Sequence, residues 1–303
     1  MKKLYIFLFC ALLFFGGVNA SAQEENNQRY RFDFGGVERH YIMHKLPQYA
    51  AQKRPLVFVL HGGGGNAENA MRMFGFSRVA LQDGAIIVYP DGDGRFEGKM
   101  ETWNAGHCCG YAMEHKSDDI GFISALIDKF VAEDDADPKR VYVTGMSNGG
   151  MMTHRLGIAL SDKIAAIAPD VGGLFGDEAK PTHGVSVLAL NGGKDKSIPI
   201  DGGQTEGRFA RAWDGTPLKP VVYQGQFWAA ANGCKPNPKE TQQGTVKTIR
   251  YNCPEGLDVV QMISLEEGHT WPGGKKGARL GDDPGNEFSA SQVIWDFFKA
   301  HHK

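Results

Sequence analysis

The sequence has no block of clustered lysine or arginine, no C-x-x-C pair and no internal repeat, and its longest apolar run is short. Each absence removes a class of function. Without clustered cations nothing is available to neutralise a phosphate backbone, so no nucleic-acid partner is expected. A helix needs about 20 apolar residues to cross a bilayer. The apolar run near the start, Leu4 to Phe15, is shorter than that, and no later segment approaches it, so no membrane span is expected. Five cysteines in 303 residues, two of them adjacent and none in ligand spacing, point to no metal site. The 40 glycines are not accompanied by the Lys-Ser/Thr pair of a phosphate-cradling loop, and no cofactor is expected.

The chain opens with a secretory pattern. Lys2 and Lys3 precede the apolar run, and Ala20-Ser21-Ala22 supplies small residues for cleavage after Ala22, or else after Ala20. Residues 1–22 are therefore read as a signal peptide, and the mature chain, 23–303, as an exported protein. Without Lys2 and Lys3, 31 of the 33 basic residues stand against 35 acids, a net charge of −4. Four cysteines remain after cleavage, an even number that invites disulfides outside the cytosol. Cys234 and Cys253 flank a short polar segment and form the preferred pair, whereas Cys108 and Cys109 either bridge each other or stay reduced.

Strands and helices alternate along the rest. Tyr30 to Leu46 reads as two strands around Gly35-Gly36, and Leu56 to Leu60 as a strand buried on both faces. Helical periodicity spans Ala67 to Gln82, followed by a strand at Ala85–Tyr89 and a long glycine-rich loop. A helix at Asp118–Ala132, capped by Ser117, leads to the strand Val141–Thr144 and a helix from Gly150 to Leu160. Further strands are read at Ile164–Ala168, Val185–Leu190 and Val259–Leu265, with helical stretches at Phe227–Ala231 and Ser289–Ala300. This order predicts one α/β domain over 23–303, with a mostly parallel sheet and helices on both faces.

In such sheets the working residues gather at the carboxyl ends of strands. Gly145-Met146-Ser147-Asn148-Gly149 sits between a strand and a helix, the setting of a nucleophile elbow. The turn is so sharp that side chains two residues before and after the serine would collide. Asp195 and His269 each follow a later strand, which completes the order Ser…Asp…His of α/β-hydrolases. A serine hydroxyl needs an imidazole to take its proton and a carboxylate to orient that imidazole. Ser147, Asp195 and His269 are accordingly the catalytic candidates. For the oxyanion, the backbone N–H of Asn148 and one from the run His61-Gly62-Gly63-Gly64-Gly65 are expected, with Gly63 preferred and Gly64 next.

The remaining candidates are weighed by position. Asp170 is the rival acid. His61 reads as a brace for the glycine loop, and His154, roughly 10 Å along the helix from Ser147, is too far to be the base. His107 and His115 are placed at the surface of the long loop, and His40, His44, His183, His301 and His302 in solvent. Trp103 and Trp271 are taken as flat surfaces for a sugar ring or phenolic acid, while Trp213, Trp228 and Trp295 are taken as core.

Several motifs occur together: Leu60-His-Gly-Gly-Gly-Gly-Asn66, Trp103-Asn-Ala-Gly-His-Cys-Cys-Gly110, Gly145-Met-Ser-Asn-Gly-Gly-Met-Met152, Phe227-Trp-Ala-Ala-Ala-Asn-Gly-Cys234 and Gly268-His-Thr-Trp-Pro-Gly-Gly274. In these the chain resembles secreted polyhydroxybutyrate-depolymerase-like esterases, which include feruloyl and acetylxylan esterases of the carbohydrate esterase family one type. The resemblance covers nearly all of 30–300. It implies an α/β-hydrolase with Ser147 as nucleophile, Asp195 as acid and His269 as base, and a Cys234–Cys253 disulfide. One departure is Asn191-Gly-Gly-Lys-Asp195, where the family usually shows His-Gly-Thr-x-Asp. Another is the lack of a substrate-binding module, which favours soluble oligosaccharide esters over solid polyester.

The expected function is a secreted serine esterase that releases feruloyl or acetyl groups from xylan fragments through an acyl-enzyme. Short-chain polyester hydrolysis is the alternative among enzymes. A catalytically silent hydrolase fold that binds glycans is the alternative from another class.

Overall fold

The computed structural model describes residues 28–50, 52–205, 210–277 and 281–303. The signal-peptide segment, 1–22, lies outside the described residues. Ten strands form one sheet: β1 (Arg29–Phe34), β2 (Val37–His44), β3 (Arg54–Leu60), β4 (Ile86–Pro90), β5 (Ala136–Met146), β6 (Ala166–Asp170), β7 (Ser186–Gly192), β8 (Lys239–Gln243), β9 (Val246–Tyr251) and β10 (Val259–Ser264). Their spatial order is β1-β2-β4-β3-β5-β6-β7-β10-β9-β8. The six central strands, β4 to β10 in that order, run parallel. Antiparallel pairs close both edges.

Among the described residues seven α-helices accompany the sheet: α1 (Ala67–Phe74), α2 (Ser77–Ala80), α3 (Gly110–Glu114), α4 (Asp119–Glu133), α5 (Asn148–Ala159), α6 (Val222–Ala231) and α7 (Ala290–Lys299). The alternation of side chains along β3 divides the core. Leu56, Phe58 and Leu60 pack with Phe122 and Phe130 of α4, Met152 of α5 and Trp228 of α6. Val57 and Val59 point the other way, to Phe74 of α1 and Trp295 and Phe298 of α7. Because both faces are covered, the central strands are continuously apolar, as parallel strands must be.

Local chemistry moved several boundaries. The helical stretch expected over 67–82 is broken at Gly75, which adopts the left-handed conformation (φ 62°) and ends α1. The cap of α4 is Asp118, whose carboxylate accepts from Gly121 N. Ser117 instead donates to Asp93. Ser289 does cap α7, accepting from Gln292 N. In the β8–β9 hairpin only β9 buries apolar side chains, Ile249 and Tyr251, whereas β8 is exposed along its length and its polar sequence hides it. The Cys234–Cys253 disulfide closes the segment that contains this hairpin, and Cys108 and Cys109 are joined to each other.

Candidate active site

β5 delivers Ser147 at the mouth of α5 with φ 59° and ψ −122°, a conformation that L side chains rarely adopt. The surroundings hold it there. Ser147 N–H donates to Asp170 O at 2.9 Å, and Ser147 O accepts from Met151 N at 2.8 Å. The flanking glycines are obligatory for a steric reason. A Cβ on Gly145 would lie 2.7 Å from Gly149 O, and one on Gly149 would lie 2.4 Å from His61 O. The elbow therefore packs backbone to backbone against the end of β3, and the serine projects into a cavity of about 440 Å³.

His269 lines the same cavity and comes from the loop after β10. Its Nδ1 lies 2.7 Å from Asp195 Oδ2. A carboxylate can only accept, so Nδ1 carries the proton and Nε2 is left as the basic nitrogen. Asp195 is itself fixed, because Oδ1 accepts from the N–H groups of Ser197 at 2.7 Å and Ile198 at 2.9 Å. The histidine loop is held by Asp282, whose carboxylate accepts His269 N–H at 2.8 Å.

The rival acid is in a different state. Asp170 is buried, its Oδ2 has no hydrogen-bond partner, and its pKa is raised well above the usual carboxylate range by burial, then by Glu267 and Asp195. A carboxyl whose burial favours its protonated form is a poor partner for an imidazolium, and the contact of His269 Nδ1 is with Asp195.

The glycine run folds under the serine. Gly64 N–H is taken by Glu101 O at 2.8 Å and Gly65 N–H by Gly62 O at 3.0 Å, so Gly64, the second choice above, has no free donor. Gly62 and Gly63 N–H have no hydrogen-bond partner among the described residues. A Cβ on Gly63 would lie 3.5 Å from Asn148 Cβ, so these two residues adjoin. Asn148 N–H stands in the first turn of α5, where helix donors are unsatisfied and the dipole is positive. His61 is the brace expected of it. Its Nε2 accepts from Gly92 N at 2.9 Å, Nδ1 donates to Gly62 O at 2.8 Å, and burial pushes its pKa down to about 4.

The aromatic assignments need correction. Trp103 is fully buried, with its indole N–H on His61 O at 3.0 Å, and presents no face to a substrate. Its backbone is gripped by the Asn148 amide, which accepts from Trp103 N at 2.7 Å and donates to Trp103 O at 2.9 Å. Trp271 reaches the cavity but is only 2% exposed, stacked on Phe74 at 4.1 Å with its N–H on Ser291 Oγ. The tryptophan left half-exposed on the cavity wall is Trp213, read from sequence as core, and Tyr111 also lines the cavity. Nothing local marks Trp213. Its environment is set by Cys108, with which it forms an isolated bridge, and by Phe175. Three histidines assigned to solvent, His40, His44 and His301, are buried, and His44 Nδ1 lies 2.8 Å from Ser77 Oγ.

Among the described residues, no group of three His, Cys, Asp or Glu side chains is arranged to hold a metal ion, and no helix is long and apolar enough to cross a membrane. The site as built offers an oriented histidine–carboxylate pair, a serine on a strained turn and backbone donors, which together suit acyl transfer.

Comparison with known proteins adds four findings. The family described as esterase PHB depolymerase matches residues 39–222. NocK of Nocardia uniformis subsp. tsuyamanensis, which carries the name of an esterase, is 32% identical over 254 residues, covering 79% of this chain and 72% of that protein. Feruloyl esterase B of Piromyces equi is 32% identical over 209 residues, covering 66% of this chain and 37% of the longer relative. Among solved structures, the acetyl xylan esterase from Aspergillus awamori superposes with a TM-score of 0.56 at 17% identity, over 80% of this chain and 94% of that one. That likeness speaks for the fold alone.

Proposed function

The chain belongs to the esterase PHB depolymerase family and is a carboxylic ester hydrolase, and from that premise we propose that it uses Ser147, His269 and Asp195 to cleave aromatic acyl esters, feruloyl esters of xylan fragments foremost. The observation that carries the reading is the 2.7 Å contact of His269 Nδ1 with buried Asp195, in the cavity that Ser147 enters. His269 Nε2 takes the hydroxyl proton of Ser147 as Oγ attacks the ester carbonyl. The N–H groups of Asn148 and Gly63 hold the oxyanion. His269 then protonates the leaving alcohol and activates water to release the acid. Asp170 is assigned no part in this cycle. Half-exposed Trp213 and Tyr111 on the wall support a flat acyl group, and the name of the Piromyces equi relative agrees with that choice. The leader pattern and the Cys234–Cys253 disulfide support export.

Short-chain polyester is the second reading, favoured by one observation. Phe96 and Met100 are 64% and 72% exposed, and Met100 lines the cavity, so an apolar lip could meet a polymer. Hydrolysis of methyl ferulate, 4-nitrophenyl acetate and a hydroxybutyrate dimer, with Ser147→Ala in parallel, tests both. Ferulate turnover is expected to dominate, and Ser147→Ala to lower kcat by about 10⁴-fold or more. Turnover of the dimer alone overturns the aromatic reading in favour of polyester. Activity that survives Ser147→Ala overturns the assigned nucleophile.

A further inference from the structure

His107 bridges two loops that the catalytic groups do not touch. Its Nδ1 lies 2.7 Å from Asp214 Oδ2 and 3.1 Å from Thr216 Oγ1, and its Nε2 lies 2.8 Å from Asp177 Oδ2. Both ring nitrogens face carboxylates, and only an imidazolium can donate to both at once. His107 O also accepts Asp214 N–H at 3.1 Å. The ring stands edge-on to Phe175 at 4.8 Å, and Phe175 stands edge-on to Trp213 at 5.8 Å. Asp177 and Phe175 belong to the segment after β6, and Asp214 directly follows Trp213. His107 thus fastens both supports of the cavity's aromatic wall.

We propose that His107 is a positioning residue for acyl-group selection: by bridging Asp177 and Asp214 it holds Trp213 against the cavity, so that preference for a planar aromatic acyl group over acetyl depends on it. This rests on the ester-hydrolase reading of the cavity. The charged groups facing His107 are Asp177 and Asp214, and together they raise its pKa against the opposing effect of burial. Glu178, beside Asp177, is turned to the backbone N–H groups of Phe175 and Gly176, and Tyr223 lies within the field of both acids. A raised histidine pKa keeps the bridge intact below that value and dissolves it as pH rises through it. All three groups are partly exposed, so solvent screens the effect.

The test compares the parent, His107→Gln and Asp177→Asn. The activity readout is the ratio of kcat/KM on methyl ferulate to kcat/KM on 4-nitrophenyl acetate, from about pH 5 to about pH 9. A pH effect common to both esters cancels in the ratio. We expect the parent ratio to fall with rising pH, and His107→Gln to lower it about fivefold at low pH and flatten its profile. Asp177→Asn should lower it less. A second readout needs no turnover. Trp103, Trp228, Trp271 and Trp295 are buried, so acrylamide quenching of tryptophan fluorescence reports chiefly on Trp213 and should increase in both variants. A ratio within twofold of the parent at every pH, or an equal loss on both esters, overturns the proposal, as does unchanged quenching. If the parent hydrolyses neither ester, the functional reading fails while quenching still decides whether His107 holds Trp213.

Discussion

On one side of the cavity each catalytic candidate stands where a parallel strand ends: Ser147 after β5, Asp195 after β7 and His269 after β10. On the other side Tyr111 stands on the short helix α3 and Trp213 on a loop, and the position of Trp213 depends on contacts with segments far away in the chain. The first side is fixed by the backbone ladder of the sheet and by close approaches such as that of Gly149 to His61 O. The second is fixed by ring edges, partly exposed ion pairs and the Cys108–Cys109 segment. The proposed chemistry thus sits on the sheet's own ladder, and the proposed selection on loop contacts outside it.

The sharpest way to break this comparison is to exchange the two buried acids. Asp195→Asn should lower kcat by about 10⁴-fold on every ester, because the amide favours the wrong imidazole tautomer. Asp170→Asn, at a buried carboxyl whose pKa is raised and which does not meet His269 Nδ1, should stay within about tenfold of the parent. Steady-state kinetics on a small and a large ester decide it, and comparable losses in the two variants would mean that Asp170 shares the acid's role.

A smaller effect should separate the two sides by substrate. Trp213→Ala should lower kcat/KM about tenfold on methyl ferulate, as expected for one lost aromatic contact, and by less than about twofold on 4-nitrophenyl acetate. Equal losses on both would place Trp213 with the chemical side.

The difference in construction also explains what could be read from sequence. The triad candidates were legible because each signal is local: a strand, a glycine where a side chain would clash, then one reactive residue. The continuously apolar strands, alternating with helical stretches, likewise made the parallel sheet and most of its elements legible. The wall was not legible, because no local pattern distinguishes Trp213 from Trp103. Trp103 sits in a glycine-rich loop that reads as exposed, yet Asn148, 45 residues later, holds its backbone beneath the elbow. The polar β8–β9 hairpin was missed because its exposed strand buries no stripe to give it a period.

The smallest expected effect concerns stability. The Glu101 backbone secures the glycine run from the loop side, through Gly64 N–H to Glu101 O and Glu101 N–H to Gly65 O. Its side chain is buried against Asp91, and burial followed by that neighbouring acid raises its pKa to about 8. A carboxyl that keeps its proton in the folded state lends stability at low pH and withdraws it as pH rises through the folded value. The thermal midpoint should therefore fall from about pH 5 to about pH 8, and in Glu101→Gln the fall should be smaller by about 2–4 °C. Parallel pH profiles for the two proteins would show that Glu101 is ionised in the fold.

The reciprocal pairing of the Asn148 amide with the Trp103 backbone bears on how such enzymes could be recombined. Exchanging the long loop between relatives is an obvious route to new selectivity. A transplanted loop that failed to present one peptide N–H and one carbonyl at the position of Trp103 would leave both halves of a buried amide unanswered, at about 1–3 kcal/mol for each. That cost would fall on the residue next to Ser147, so a graft designed for selectivity would first be felt at the elbow, where the oxyanion donor is proposed. Loop and elbow should be inherited, and engineered, as one module.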